Sequence, residues 1–311
     1  QMSGTLCSPV YYSRANGSET TGTWSTVRTG LPAPGAVTFT KNATMVVQNT
    51  HTVTSNNNAS IELRNLMVET GGSLSLTGVC NVEINGPTFD IDGTLTSADD
   101  DFDLFSDELT TISGSAGTID VNNMTLDGFG AIVTVNTLKI RGTLQLDNGN
   151  FDGNNKEVQL ISTSTGTARL GPVSATASYS SKLRVERFIP AGVTDWRLLS
   201  SPITAEIVQD WTDDFYTAGF PGSTYPNFYV GMVLWPSIRK YDEPVTGGLL
   251  TDGLVGVSGA PEVLTPGRGY AAWSGTTLNT TTAFTIDLRG PPTVASTPFS
   301  IPLTYTNNGF P

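Results

Sequence analysis

"TLKIRGTLQL", residues 137–146, decides how this chain is read. Leu138, Ile140, Leu144 and Leu146 alternate with Lys139, Arg141 and Gln145 on either side of Gly142. Alternation with a period of two marks a strand with one dry face and one wet face. A glycine between two such strands permits a corner. The phrase recurs upstream as "GGSLSL" (71–76), "DGTLTS" (92–97) and "AGTIDV" (116–121). From Gly72 to Gly93, Gly117 and Gly142 the steps are 21, 24 and 25 residues. A second alternating strand precedes three of these glycines, in "NLMVET", "TFDID" and "NTLKIR". A repeat in the low twenties with strand patterning on both sides predicts a solenoid. The expected fold class is therefore all-β. Residues 36–172 should form a right-handed parallel β-helix with coils ~4.8 Å apart and glycines 72, 93, 117 and 142 aligned in one column. A β-sandwich would account for the alternation but not for the recurring phrase.

Composition narrows the class further. Only 14% of the 311 residues are charged, and the formal charge is −12. The 16 basic residues are scattered and form no stripe to neutralise phosphates, so no nucleic-acid partner is expected. No apolar run approaches the ~20 residues of a membrane span, so no membrane insertion is expected. The opening "QMSGTLCSPV" reads as a mature end left by a removed signal peptide. Cys7 and Cys80 are either one disulfide tying the N-terminal segment to the body or two buried thiols.

The repeat ends near residue 172. Four of the five tryptophans lie beyond it, with short strand-like runs between turn signals. Residues 173–311 are expected to form an antiparallel, jelly-roll-like β-sandwich, and residues 1–35 an N-terminal cap. "KLRVERFIP" (182–190) and "DWRLLSSPI" (195–203) look like two strands joined by a Gly-containing turn. Thr204 is the expected N-cap of a short helix. The last residues, "YTNNGFP", end on a turn, so the natural chain is expected to continue.

Candidate chemistry concentrates in "SADDDFDLFSDE" (97–108). This run is expected to leave the solenoid as an excursion, tethered by Phe102, Leu104 and Phe105. Asp99, Asp101 and Asp103 have the alternation of calcium loops, and Asp107 or Glu108 could complete a shell of hard oxygens. Leu104 stands where an EF-hand needs Gly, and Thr110 where it needs Glu. The run is therefore either another kind of calcium site or a solvated loop, and no other cofactor is expected. Asp90 and Asp92 are a candidate acid pair: same-face strand neighbours lie ~7 Å apart, inside the window of inverting glycosidases. Outward positions are polar in any solenoid, however, and Arg141 is the nearest basic partner that a lyase could use. His51, the sole histidine, has a structural setting in "THTVT". No G-x-S-x-G, CxxC or HExxH occurs. The aromatics of "GFPGSTYPNFYVGMVLWP" (219–236) suit stacking on sugar rings, contact with a neighbouring subunit, or core packing.

Two stretches resemble secreted and cell-surface proteins of Bacteroidota exported by the type IX secretion system. One is "YYSRANGSETTGTWSTVRTG" (11–30) followed by "GAVTFTKNATMVVQNTHTVT" (35–54). The other is "LRVERFIPAGVTDWRLLSSPI" (183–203) with "SIRKYDE" and "PGRGYAAWSG" downstream. The resemblance covers about two thirds of the chain and contains no C-terminal sorting domain. It implies large extracellular proteins: adhesins, gliding-related proteins, filament-like assemblies and some carbohydrate-active enzymes. The resulting expectation is an extracellular or cell-surface, non-enzymatic protein acting in adhesion or as a filament-forming subunit. Its partners would be copies of itself, other surface proteins or polysaccharide. The alternative is a carbohydrate-active β-helix protein that binds or degrades polysaccharide.

Overall fold

Most four-residue strands of the first half hide alternate side chains, and stacking such strands is what closes the core. In the computed structural model the described residues are 8–31, 33–55, 60–78, 81–97, 99–245, 249–277 and 279–294. They fall into two compact units: residues up to Ile161 with Ala168–Lys182, and Ser162–Thr167 with the chain from Leu183 onward. Cys7, Cys80 and the stretch "PFSIPLTYTNNGFP" (298–311) lie outside the described residues.

The first unit is a parallel β-solenoid of about six coils with three faces. The first face stacks Thr44–Val47, Asn65–Val68, Thr88–Ile91 and Thr110–Ser113 in parallel register. It continues through the C-terminal parts of Asn123–Val133 and Thr143–Asp152 to Ala177–Ser180. The second face stacks Thr52–Ser55, Ser73–Leu76 and Thr94–Ser97, then Thr118–Val121, Thr137–Ile140 and Glu157–Leu160. The third runs from Ser60–Leu63 through Asn81–Ile84 and Asp101–Leu104 to Asn123, Thr143 and Arg169.

Parallel register puts like positions above one another, so the interior consists of aliphatic columns. Ile61, Val82, Phe102, Met124 and Leu144 form one, and Leu63, Ile84, Leu104, Leu126 and Leu146 the next. All ten are buried. Leu138 and Ile140 are also fully buried, as the alternation around Gly142 requires. Phe89 and Phe102 stack across the interior of one coil, 5.4 Å between centroids.

Two expectations for this unit need correcting. The acidic run does not leave the solenoid. Asp101–Leu104 is a regular strand of the third face, paired on both sides, because its own alternation sends Phe102 and Leu104 inward. Nor do the four glycines form one column. Gly72, Gly93 and Gly117 each open a strand of the second face, whereas Gly142 opens one of the third and lies against Asn122 and Asn123. The phrase marks a corner, and two different corners use it.

The second face is also broken. Thr94–Ser97 is not paired with Thr118–Val121, and the two groups of three strands belong to different sheets. Arg141 reaches across the gap: its guanidinium donates to Ser97 O and lies 3.0 Å from Asp120.

The N-terminal end is covered. Val10–Ser13 pairs in parallel with Thr44–Val47, Trp24–Ser25 pairs antiparallel with it, and Gly17 bridges Val53. Trp24 is buried against the edge of the Phe39 ring, 4.9 Å away, with its indole Nε1–H donating to Ser18 O. Stacking of a second copy on this edge would have to displace these residues.

The second unit is antiparallel. Leu183–Ile189 pairs with Phe284–Gly290. Asp195–Leu199, Tyr270–Ser274, Ile238–Tyr241 and Leu254–Gly256 form a four-stranded sheet in that order. The two strands expected within 182–190 and 195–203 are present as Leu183–Ile189 and Asp195–Leu199, but they belong to different sheets. Gly192–Val193 instead bridges Thr280–Thr281, and the chain passes to another sheet. Thr204 caps nothing: its hydroxyl donates to Pro291 O, and the short 3-10 turn Val208–Trp211 begins after Ile207, whose N–H donates to Asp210.

Candidate functional site

The solenoid's outward side chains follow the same stacking rule as the core. On the third face Glu62, Glu83 and Asp103 occupy successive positions of one ladder, continued by Thr125 and Gln145. Desolvation, then the charges of Glu62 and Asp103, holds Glu83 above the usual carboxylate range.

The other acidic residues singled out from the sequence are engaged between coils. Asp90 accepts from Ser113 Oγ at 2.6 Å, and Asp92 from the Ser115 amide at 2.7 Å. Asp92 lies in the bend after Ile91 and not on the strand with Asp90, so the two do not make the regular same-face pair expected. Asp101 accepts from Asn123 Nδ2 at 2.6 Å, and Glu108 pairs with Arg64 at 2.6 Å. Asp103 belongs to the acidic ladder, while Asp99 and Asp107 are exposed in bends before and after the strand. Among the described residues no group of three or more His, Cys, Asp or Glu is arranged to hold a metal ion. His51 pairs through Nδ1 with the buried Ser13 hydroxyl at 2.9 Å, and that hydroxyl accepts from Gln48 N. The histidine thus ties the first coil to the cap.

The more site-like feature is in the second unit and grows from one sheet. On its inner face lie Tyr270, Ala272, Ser274 and Ile238, all buried. Alternation therefore turns Trp196, Leu198, Ala271, Trp273 and Arg239 to the opposite face, where Trp196 stands directly across from Trp273. Trp235, arriving after a short hairpin, completes a triangle with centroid separations of 5.5, 5.6 and 5.8 Å. Arg239 lies over Trp196 at 5.0 Å and over Trp235 at 5.6 Å. Burial lowers its pKa from the ordinary arginine value, and the two ring faces compensate part of its lost hydration.

Beside this triangle is a cleft of about 330 Å³. Trp235, Trp273 and Phe228 form its aromatic wall, and Tyr216 and Tyr225 stand at 5.9 Å from each other with 43% and 44% exposure. Thr194, Thr217, Ser237, Thr277 and Asn279 supply the polar lining, and among the described residues no acidic or basic one contributes. Thr217 and Ser237 already hydrogen-bond within the fold, to Thr224 and the Ala218 amide, which fixes the walls. The hairpin Tyr229–Val230 with Val233–Leu234 rises beside the cleft, with Val230 in the lining and Met232 fully out in solvent at its tip. The segment carrying Tyr216 is anchored just upstream by Asp214, whose carboxylate accepts from Asp287 N at 2.9 Å. Burial pushes the Asp214 pKa up to about 7.

The aromatic stretch 219–236 thus divides. Phe220 is core, as the packing reading expected, whereas Tyr225, Phe228 and Trp235 reach the cleft. Trp196, Trp273 and Tyr216 were missed as members. The only hint of them in the sequence is the crowding of tryptophan into the second half. Comparison with protein-family models, with characterised proteins and with solved structures returns no match.

Proposed function

We propose that this chain is an extracellular surface protein of the type IX-exported kind, which holds a partner without transforming it. The solenoid is its rigid scaffold, wound right-handed, and the second unit supplies the contact surface. One observation carries the non-enzymatic reading: the candidate acid pair Asp90 and Asp92, and with them Asp101 and Glu108, serve as ties between coils. Asp90, Asp92, Asp101 and Glu108 are each bound to a residue at least 20 positions away. A hydrolase or lyase acting on that surface needs an acid and a base free to exchange protons with substrate. Arg141, the base a lyase would have used, is bound to Ser97 and Asp120.

We read the second unit as a sandwich. Val185, Ile286 and Leu288 of one sheet and Leu199 of the other line a common cavity with Trp211, as two inner faces would. Two experiments test the functional reading. Surface labelling and fractionation of the producing cells should find the chain outside. Incubation with a polysaccharide panel should yield no new reducing ends and no unsaturated product. An intracellular location, or steady product formation abolished by Asp90→Asn, would overturn it.

A further inference from the structure

We infer that the aromatic cleft of the second unit is a binding site for a short stretch of neutral saccharide. The inference rests on the reading of the chain as a surface protein that holds its ligand. Its volume, about 330 Å³, lies at the small end of ligand sites and suits a compact occupant more than a long peptide. Sugar rings present flat C–H faces edged by hydroxyls. They therefore call for aromatic planes with hydrogen-bonding groups beside them. Trp235, Trp273, Phe228 and the exposed ring of Tyr225 offer the planes, while Tyr216 and Asn279 offer polar atoms at the mouth.

The charge pattern selects the ligand class. Among the described residues no ionised side chain lines the cleft, so an acidic sugar would lose hydration without gaining a cation. The guanidinium of Arg239, on the same sheet face as Trp273, is committed to Trp196 and Trp235. The chain as a whole carries −12, which opposes polyanions at longer range. The hairpin carrying Val230 adds an apolar wall that a bound ring would cover in part. Exposed tyrosines at the mouth of a cleft whose walls are fixed by internal hydrogen bonds make a pre-formed site. Little ordering is needed on binding.

The test is a tryptophan-fluorescence titration of the whole chain with maltotetraose, cellotetraose and mannotetraose. Tetragalacturonate serves as the charged comparison, and a ten-residue polyproline as the peptide that also favours aromatic grooves. The expected result is saturable binding of at least one neutral tetrasaccharide and none of tetragalacturonate. Tyr225→Ala should weaken that binding about tenfold, the loss expected for one stacking ring. Tyr225→Phe should retain most of it, and Phe129→Ala, in the other unit, should change nothing. Both tyrosines at the mouth are well exposed, so their removal leaves the core intact.

Three results would overturn the assignment: no neutral tetrasaccharide binds, the affinity is indifferent to Tyr225→Ala, or only polyproline binds. A separate measurement keeps this apart from the function proposed above. If the unaltered chain and Tyr225→Ala adhere equally to producing cells, the cleft assignment alone fails. If the unaltered chain does not adhere at all, the surface reading fails.

Discussion

Replacing Gly93 by Ala probes the stacking of the solenoid at the corner where its repeat is most legible. A Cβ on Gly93 would stand 2.3 Å from Gly72 O, 2.4 Å from Glu69 O and 2.9 Å from a Val68 methyl. Carbon and oxygen ordinarily approach to about 3.3 Å, so two backbone carbonyls one floor below would have to retreat by about 1 Å. That floor is joined to the next by Thr94 N–H donating to Gly72 O and Gly93 N–H donating to Val68 O, both 2.9 Å long. Losing two such bonds costs about 2 kcal/mol, and forcing a methyl into a packed corner adds about 1–3. The expected destabilisation is about 3–5 kcal/mol.

Gly117 belongs to the same phrase but differs physically. A Cβ there meets nothing within 4 Å, and only its φ of +80° resists substitution. Gly117→Ala should therefore cost about 1–2 kcal/mol, and Gly117→Asn less, since Asn tolerates that region. Urea titration followed by far-ultraviolet circular dichroism ranks the variants. Hydrogen exchange of peptides from 65–97 should accelerate about 100-fold or more in Gly93→Ala while the second unit is unaffected. The reasoning is wrong if Gly93→Ala lies within 0.5 kcal/mol of the parent, or if Gly117→Ala costs as much.

Further outcomes follow from the charges. Arg141→Gln removes the link between the two halves of the second face. It should cost about 1–2 kcal/mol and open Thr94–Ser97 to exchange before the other faces. Glu83 is held above its usual pKa by desolvation and its acidic neighbours, so the folded chain retains its proton longer than the unfolded one. Stability should decline as pH rises through that window, and Glu83→Gln should be the more stable protein at neutral pH, as urea midpoints at pH 4 and 7 would report. Asp214, pushed up to about 7 by burial, has the same sign. The second unit should be most stable below about pH 4 with respect to this group, losing that advantage between pH 4 and 7. Asp214→Asn should flatten the dependence, measured by tryptophan fluorescence. With Asp101 tied to Asn123 and Glu108 to Arg64, melting curves in EDTA and in millimolar calcium should coincide. A calcium-dependent rise of several degrees would instead favour the metal reading of residues 99–108.

The acidic run illustrates what local pattern can and cannot carry. "DFDL" contains its own strand alternation, and Phe102 and Leu104 do point into the core. Six carboxylates in ten positions nonetheless made the stretch look like a departure from the wall. Charge density says that side chains meet water. It does not say whether the backbone between them is in a sheet, because the outer face of a solenoid is wet as well. The Gly-hydroxyl-aliphatic phrase has a similar ambiguity. It encodes a corner, and a three-sided coil has three corners to place it at.

From the sequence alone came the strand alternation, the repeat length, the inward side of Leu138, Ile140, Leu144 and Leu146, and the antiparallel texture of the second half. These depend on interactions between residues a few positions apart, or on a rule applied once per coil. Tertiary structure alone decided which corner each glycine turns, where the second face breaks and which strands of the second unit are neighbours. It alone also brought Thr194, Tyr216, Trp235 and Trp273 around one cleft. Alternation specifies which side of a strand is buried but not which strand lies beside it. That choice is made by packing among residues as many as 107 positions apart, as Leu183 and Gly290 are, and no short window of sequence contains it.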